Sequence, residues 1–142
     1  MTIAVIDGQG GRVGALLIEA MRKVGIGEPH RILALGANAL ATSAMLRAGA
    51  DQGATGANAV LFACRSADLI AGPIGIVMAD AMLGEITPAM ALAIGRSSAT
   101  KLLLPMNQCS SIVAGTQQMT LSQLIDSAVS QVQKMCAQEQ RA

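Results

Sequence analysis

Apolar residues arrive along the chain in short blocks that switch between two spacings. Ile3 to Ile6 is an unbroken apolar run closed by Asp7 and Gly8, the pattern of a strand buried on both faces. The period then changes: Val13, Leu16, Leu17, Ala20, Met21 and Val24 fall on one helical stripe, and Gly25 stands where a helix would end. Arg31 to Leu35 repeats the strand pattern and Gly36 breaks it. Asn38 is then placed to cap a helix through Leu40, Ala41, Ala44, Met45 and Ala48. Gly53 to Gly56 reads as a loop, and Ala57 to Ser66 as a short helix in preference to an extra strand.

Asp68 to Ala71 predicts a third buried strand stopped by Gly72 and Pro73, and Ile74 to Leu83 predicts a helix closed by Gly84. Thr87 and Pro88 form an N-cap and first-turn pair for a helix ending near Gly95. Leu102 to Leu104 predicts a fourth strand before Pro105, and Ser111 to Ala114 a fifth, at an edge. The last helix has the clearest stripe: Leu121, Leu124, Ile125, Ala128, Val129, Val132 and Met135, opened by a Thr120–Gln123 capping box and fraying after Cys136. Strands alternating with helices over short connections imply right-handed crossovers and helices on both faces. The expectation is an α/β, doubly wound, Rossmann-like three-layer sandwich with a mostly parallel sheet of four to five strands. No repeat or linker divides residues 1–142, so they read as a single domain.

The first strand-to-helix turn concentrates the chemistry. Read as G-x-G-x-x-G from Gly8, the third glycine falls on Val13 and the motif fails; read as G-x-x-G-x-x-G, Gly8, Gly11 and Gly14 all match. In that reading Gly8 permits the tight turn, Gly11 the close approach of backbone to phosphate, and Gly14 the packing of helix on strand. Open N–H groups at a helix start favour an anion. The candidate ligand-binding residues are therefore Gly8, Gln9, Gly10, Gly11, Arg12, Val13 and Gly14. The rim rule for parallel sheets adds Gly36, Asn38, Gly72, Pro73, Ile74 and Gly75, with Pro105 to Asn107 beside them. The second strand ends in Gly36-Ala37-Asn38, where an NAD site would carry an acidic residue for the ribose. The nucleotide is thus NAD(P)-type or another, with Arg12, Asn38, Thr42 or Ser43 as phosphate or ribose partners. Asp7 sits beside the proposed phosphate, where a capping or inward hydrogen-bonded role is favoured over a cation site. The same glycines also serve a strand that merely turns tightly into a helix, with no ligand.

The glycine spacing followed by basic Arg12 resembles the first turn of dihydrodipicolinate reductase over about a dozen residues; the larger substrate domain of that family has no counterpart here. Over nearly its whole length the chain resembles a family of small bacterial proteins described as domain of unknown function 3842. The likeness rests on Ile6-Asp7-Gly8-Gln9-Gly10-Gly11, on the block from Ala34 to Leu46, on Gly72-Pro73-Ile74-Gly75, and on Gly84-Glu85-Ile86-Thr87-Pro88-Ala89-Met90. It implies a Rossmann-like fold and supplies no reaction.

Composition narrows the function classes. Of 142 residues 52% are apolar and 13% charged, against roughly 25% charged in an ordinary soluble protein. The formal charge of +1 and a single aromatic residue, Phe62, argue against nucleic-acid binding. No uncharged stretch reaches the roughly 20 residues of a membrane span, and the chain opens directly on a strand, so a cytoplasmic location is expected. Cys64, Cys109 and Cys136 are scattered and read as reduced, and His30, the one histidine, reads as solvated in a loop; no metal site is expected. No acid–base pair stands out, so no catalytic residue is nominated; Glu85 and Asn107 are the best polar candidates near the rim. A nucleotide-binding module is favoured over an oxidoreductase completed across a homodimer, and over a ligand-free interaction module. Low charge predicts a homodimer or higher homo-oligomer, with contacts on the helices expected at Ile74 to Leu83 and Met90 to Ile94.

Overall fold

The computed structural model describes residues 1–106, 110–116 and 118–142. The elements run β1 (Thr2–Asp7), α1 (Arg12–Lys23), β2 (Arg31–Gly36), α2 (Ala39–Arg47), β3 (Gln52–Thr55), α3 (Ala57–Ala63), β4 (Leu69–Pro73), α4 (Pro88–Arg96), β5 (Thr100–Leu104) and α5 (Leu121–Arg141). The five strands are all parallel, in the order β3-β2-β1-β4-β5. The chain winds outward from β1 to β3, then returns to β4 on the other side of β1. Winding reverses between β1 and β4, where a crevice opens beyond their carboxyl ends.

Strand alternation divides the core. Ile3 and Val5 point to one face with Ile32, Leu69 and Ala71, packed under Leu17 and Met21 of α1 and Val129 and Val132 of α5. Ala4, Ile6 and Ile70 point to the other, under Val60 of α3, Met90 and Ile94 of α4, and Ile86. All of Ile3 to Ile6 are fully buried, as an apolar run covered on both faces requires. Thr120 and Gln123 form the expected capping box, Thr87 caps α4 through the Met90 amide, and Asn38 caps α2 through the Ala41 amide.

Several expectations are corrected. Gly53 to Gly56 is not simply a loop: Gln52–Thr55 form β3, held by pairing with β2 from Leu33 to Gly36 despite low intrinsic strand preference. Ile74 to Leu83 is not a helix. A 3-10 turn, Ile74–Val77, is followed by an irregular strap from Met78 to Ile86 in which Asp80, Met82 and Leu83 take left-handed backbone angles. Those angles interrupt any right-handed helix, and burial of Ile76 and Ile86 against the same sheet face pins both ends of the segment. Ser111 to Ala114 forms no strand, leaving β5 as the edge. The helix does not fray after Cys136 but continues to Arg141. His30 is buried at 5% exposure instead of solvated; its Nδ1 lies 3.2 Å from Glu139 Oε2, although neither ring nitrogen is in hydrogen-bond geometry. Cys64 and Cys136 are free thiols, as expected, and both are buried; Cys109 lies outside the described residues. Among the described residues, no helix is long and apolar enough to cross a membrane, and no group of three or more metal-ligating side chains occurs.

The reversal point is tightly built. A Cβ on Gly72 would lie 2.2 Å from the Ile6 carbonyl oxygen, so β4 approaches β1 only because residue 72 has no side chain. Gly72→Ala is expected to lower unfolding stability by more than about 2 kcal/mol, the range of forced overpacking in a core. Chemical denaturation checks this, and an unchanged midpoint would contradict the close approach.

Candidate functional site

The first turn is shaped by a buried carboxylate. Asp7, at the end of β1, accepts hydrogen bonds from the Gly8 amide at Oδ1 and the Gly14 amide at Oδ2, each 2.8 Å, and from the Val13 backbone. It thus caps the first turn of α1 from inside the protein. Burial pushes the Asp7 carboxyl above the ordinary aspartate value; the Gly14, Gly8 and Val13 amides oppose that shift, and the nearby Glu85 charge adds to it.

Beyond Gly8 the backbone enters left-handed space at Gln9 and again at Gly11, and the Gly11 amide closes the turn on the Gly8 carbonyl at 2.9 Å. Such a turn presents its amides to one concave side. Gln9 gives its amide to Glu85 Oε1 at 2.9 Å. Among the described residues, the Gly10 and Arg12 amides have no acceptor within the chain, and the exposed Arg12 side chain has no carboxylate partner. These groups border a cavity of about 190 Å³ at the reversal point, whose other walls include Pro73, Met82, Met106 and Leu121.

Glu85 ties the strap to this turn. Its Oε2 accepts from Asn38 Nδ2 at 2.5 Å, and the same Asn38 nitrogen donates to the Gln9 carbonyl at 2.9 Å. The strap therefore lies over Gly8, whose absent Cβ would meet Met82 Sδ at 2.7 Å, Ala37 Cβ at 3.4 Å and Glu85 Cδ at 3.8 Å.

Of the residues expected at the site, Gly8, Gln9, Gly10, Gly11, Arg12, Val13 and Pro73 line this one cavity. Gly14 lies one turn inward, where a Cβ would strike Met45 Sδ at 2.5 Å. Gly11, at φ 70°, makes its close approach to helix α2: a Cβ there would lie 2.7 Å from the Ala41 Cα. Gly36 packs against Thr42 and Asn38, Gly72 against Ile6, and Ile74 and Gly75 enter the 3-10 turn outside the cavity wall. The ribose candidates are engaged internally. Asn38 holds the α2 cap, Gln9 and Glu85, while the buried Thr42 hydroxyl contacts Thr55 Oγ1 at 2.8 Å and the Asn38 carbonyl at 3.1 Å. Ser43 is exposed on α2, and Asn107 lies outside the described residues.

Sequence reasoning missed Met82 and Leu121 as walls. Leu121 was legible only as the first residue of a capped helix, and nothing in Ala81-Met82-Leu83 signals a left-handed strap. Met106 falls within the rim segment expected after the last strand.

Among solved structures the chain is similar to one described as a dodecameric FMN-dependent UbiX-like decarboxylase from Escherichia coli O157:H7. The identity is 14% and the TM-score 0.45, over 96% of this chain and 94% of that one. No curated protein matches the sequence. The chain belongs to the family described as domain of unknown function DUF3842, whose model matches residues 2–137.

Proposed function

We propose that the crevice between β1 and β4 binds the phosphate of a nucleotide, held by the Gly10 and Arg12 amides and the Arg12 guanidinium. The observation that carries this reading is the pair of unengaged amides on a left-handed turn, opening on a cavity where the winding of the sheet reverses. Asp7 and Glu85 already occupy neighbouring amides, which confines an incoming anion to the Gly10 and Arg12 side.

Size and coverage favour a mononucleotide, bound mainly through its phosphate end. The cavity of about 190 Å³ is below the roughly 300–1,000 Å³ of most small-molecule pockets. The strap covers Gly8 and Ala37 on the β2 side, the side that would carry the second half of a dinucleotide. An NAD(P) dinucleotide is the second reading, favoured by the strand order. It requires Met82 and Glu85 to leave Gly8. The described cavity wall carries only Asp7 and Arg12 as titratable groups, which supports a binding module over an oxidoreductase.

Gly10 gives the cleanest test, since a Cβ there meets nothing within 4 Å and its φ lies outside the left-handed range. In calorimetric titrations with AMP, FMN, NADH and NADPH, Gly10→Val is expected to keep the wild-type melting temperature and to weaken nucleotide binding at least about tenfold by obstructing the amides. Equal binding by both proteins would move the phosphate elsewhere. Arg12→Ala is expected to weaken binding by about tenfold or more, the range of a charge-assisted hydrogen bond; unchanged affinity would leave Arg12 out of the site.

A third prediction concerns pH. The folded Asp7 carboxyl titrates above its unfolded value, so this group's contribution to stability is complete below the unfolded value and is lost as pH rises through the folded one. A phosphate seated beside Asp7 adds like charge and moves the titration further up. Carbon-13 NMR of the Asp7 carboxyl, with and without saturating AMP, is expected to show that added upward shift. An unmoved midpoint, with AMP demonstrably bound, would place the phosphate away from the first turn.

A further inference from the structure

The β3 side of the sheet is left uncovered. Helix α3 has seven residues, about 10 Å of helix, too short to cover the ends of β2 and β3. Between it and the sheet runs a groove of about 640 Å³, lined by Leu33, Leu35, Ala54, Ala59 and Phe62 among others. All four residues of β3 are exposed. Phe62, the chain's one aromatic residue, is 66% exposed beside the groove, and Leu46 flanks the opposite face of β3, close to Gly53.

The open edge is also able to pair. The Gly56 amide donates inward to the Gly36 carbonyl at 2.8 Å, so by strand alternation the Ala54 amide also faces β2 and the amides of Gly53 and Thr55 turn toward the free edge. Edge strands are ordinarily blunted by lysine, proline or an inward charge, and Gln52–Thr55 carry none of these.

We propose that this edge is a two-fold interface between two copies of the chain, with β3 pairing antiparallel to β3 and each Phe62 seated in the groove of the other copy. A two-fold contact needs a surface complementary to itself, and here a projecting ring and a receiving groove lie on one patch. Charge agrees. None of the groove-lining residues is ionisable, so two identical faces oppose no like charges, and the pairing sets Gly53 against Thr55 and Ala54 against its own copy. Arg65, 5.7 Å from the Phe62 ring centre, keeps its charge at the rim. Of the segments expected to carry the contact, Ile74 to Leu83 is not helical, and Met90, Ala91 and Ile94 are buried in the monomer, leaving Leu83 on the strap and Leu92 on α4 exposed as separate side chains. An exposed aromatic flanked by a groove is the usual anchor of such an interface.

Light scattering after size exclusion tests this. Wild type at micromolar concentration is expected to run at twice the chain mass. Ala54→Lys puts on the exposed strand the charge that ordinarily blunts an edge, and Phe62→Glu charges an exposed position, so both should fold with wild-type circular dichroism. Each is expected to halve the measured mass, while Leu92→Glu on α4 leaves the dimer intact. A monomeric wild type, leaving the groove to a strand of some other protein, would overturn the proposal. So would a dimer that survives both edge variants.

Discussion

The buried Asp7 carboxylate is the contact from which the crevice takes its form. By accepting the Gly8 and Gly14 amides it fixes the end of β1 against the first turn of α1, and it satisfies donors that a ligand would otherwise claim. The cost is desolvation of a carboxyl, seen in its upward-shifted titration, and three backbone hydrogen bonds offset part of that cost. Everything around the turn follows from this placement. Gly14 must be small for Met45 and Asp7 to share its side, Gly11 must be small for α2 to pass, and the anion-binding capacity left over falls on Gly10 and Arg12.

A second carboxylate extends the arrangement across the chain. Glu85 links the strap to the Gln9 amide and to Asn38, and Asn38 in turn caps α2. The strap is thus held over Gly8 by charge-assisted hydrogen bonds while Asp80, Met82 and Leu83 carry left-handed backbone angles, each costing on the order of 1 kcal/mol or more. Leu83 is 99% exposed at its tip. The segment spends backbone strain to cover the β2 side of the crevice, which is why ligand size depends on the strap more than on the glycines.

Much of the fold was legible where one periodicity ran unopposed. Ile3 to Ile6, the α1 stripe, the Asn38 cap and the Thr120–Gln123 box all behave as their local chemistry requires. Legibility failed where tertiary contacts override local preference. Gln52–Thr55 contain a glycine and no large apolar residue, yet they form a strand because β2 offers a ladder and Thr42 reaches the Thr55 hydroxyl. Ile74 to Leu83 is rich in helix formers, yet the burial of Ile76 and Ile86 and the Glu85 attachment draw it into an open strap. His30 looked like a loop residue because its burial comes from the distant C-terminal helix, where Glu139 lies, more than a hundred positions away.

The site was half legible for a related reason. Glycine spacing located the turn, but spacing does not say what each absent side chain avoids: Gly11 avoids the backbone of α2, while Gly10, unremarkable in the motif, keeps the open side clear. Three separate stretches of the chain, around Gly8, Pro73 and Glu85, meet at this crevice, and the family model spans residues 2–137. The most direct measurement is a two-dimensional amide NMR titration of the labelled protein with AMP. Saturable shifts are expected to be largest at the Gly10 and Arg12 amides and negligible around Phe62 and the β3 groove. Shifts centred on that groove, or none at the first turn at saturating AMP, would contradict a phosphate site at the junction of β1 and β4.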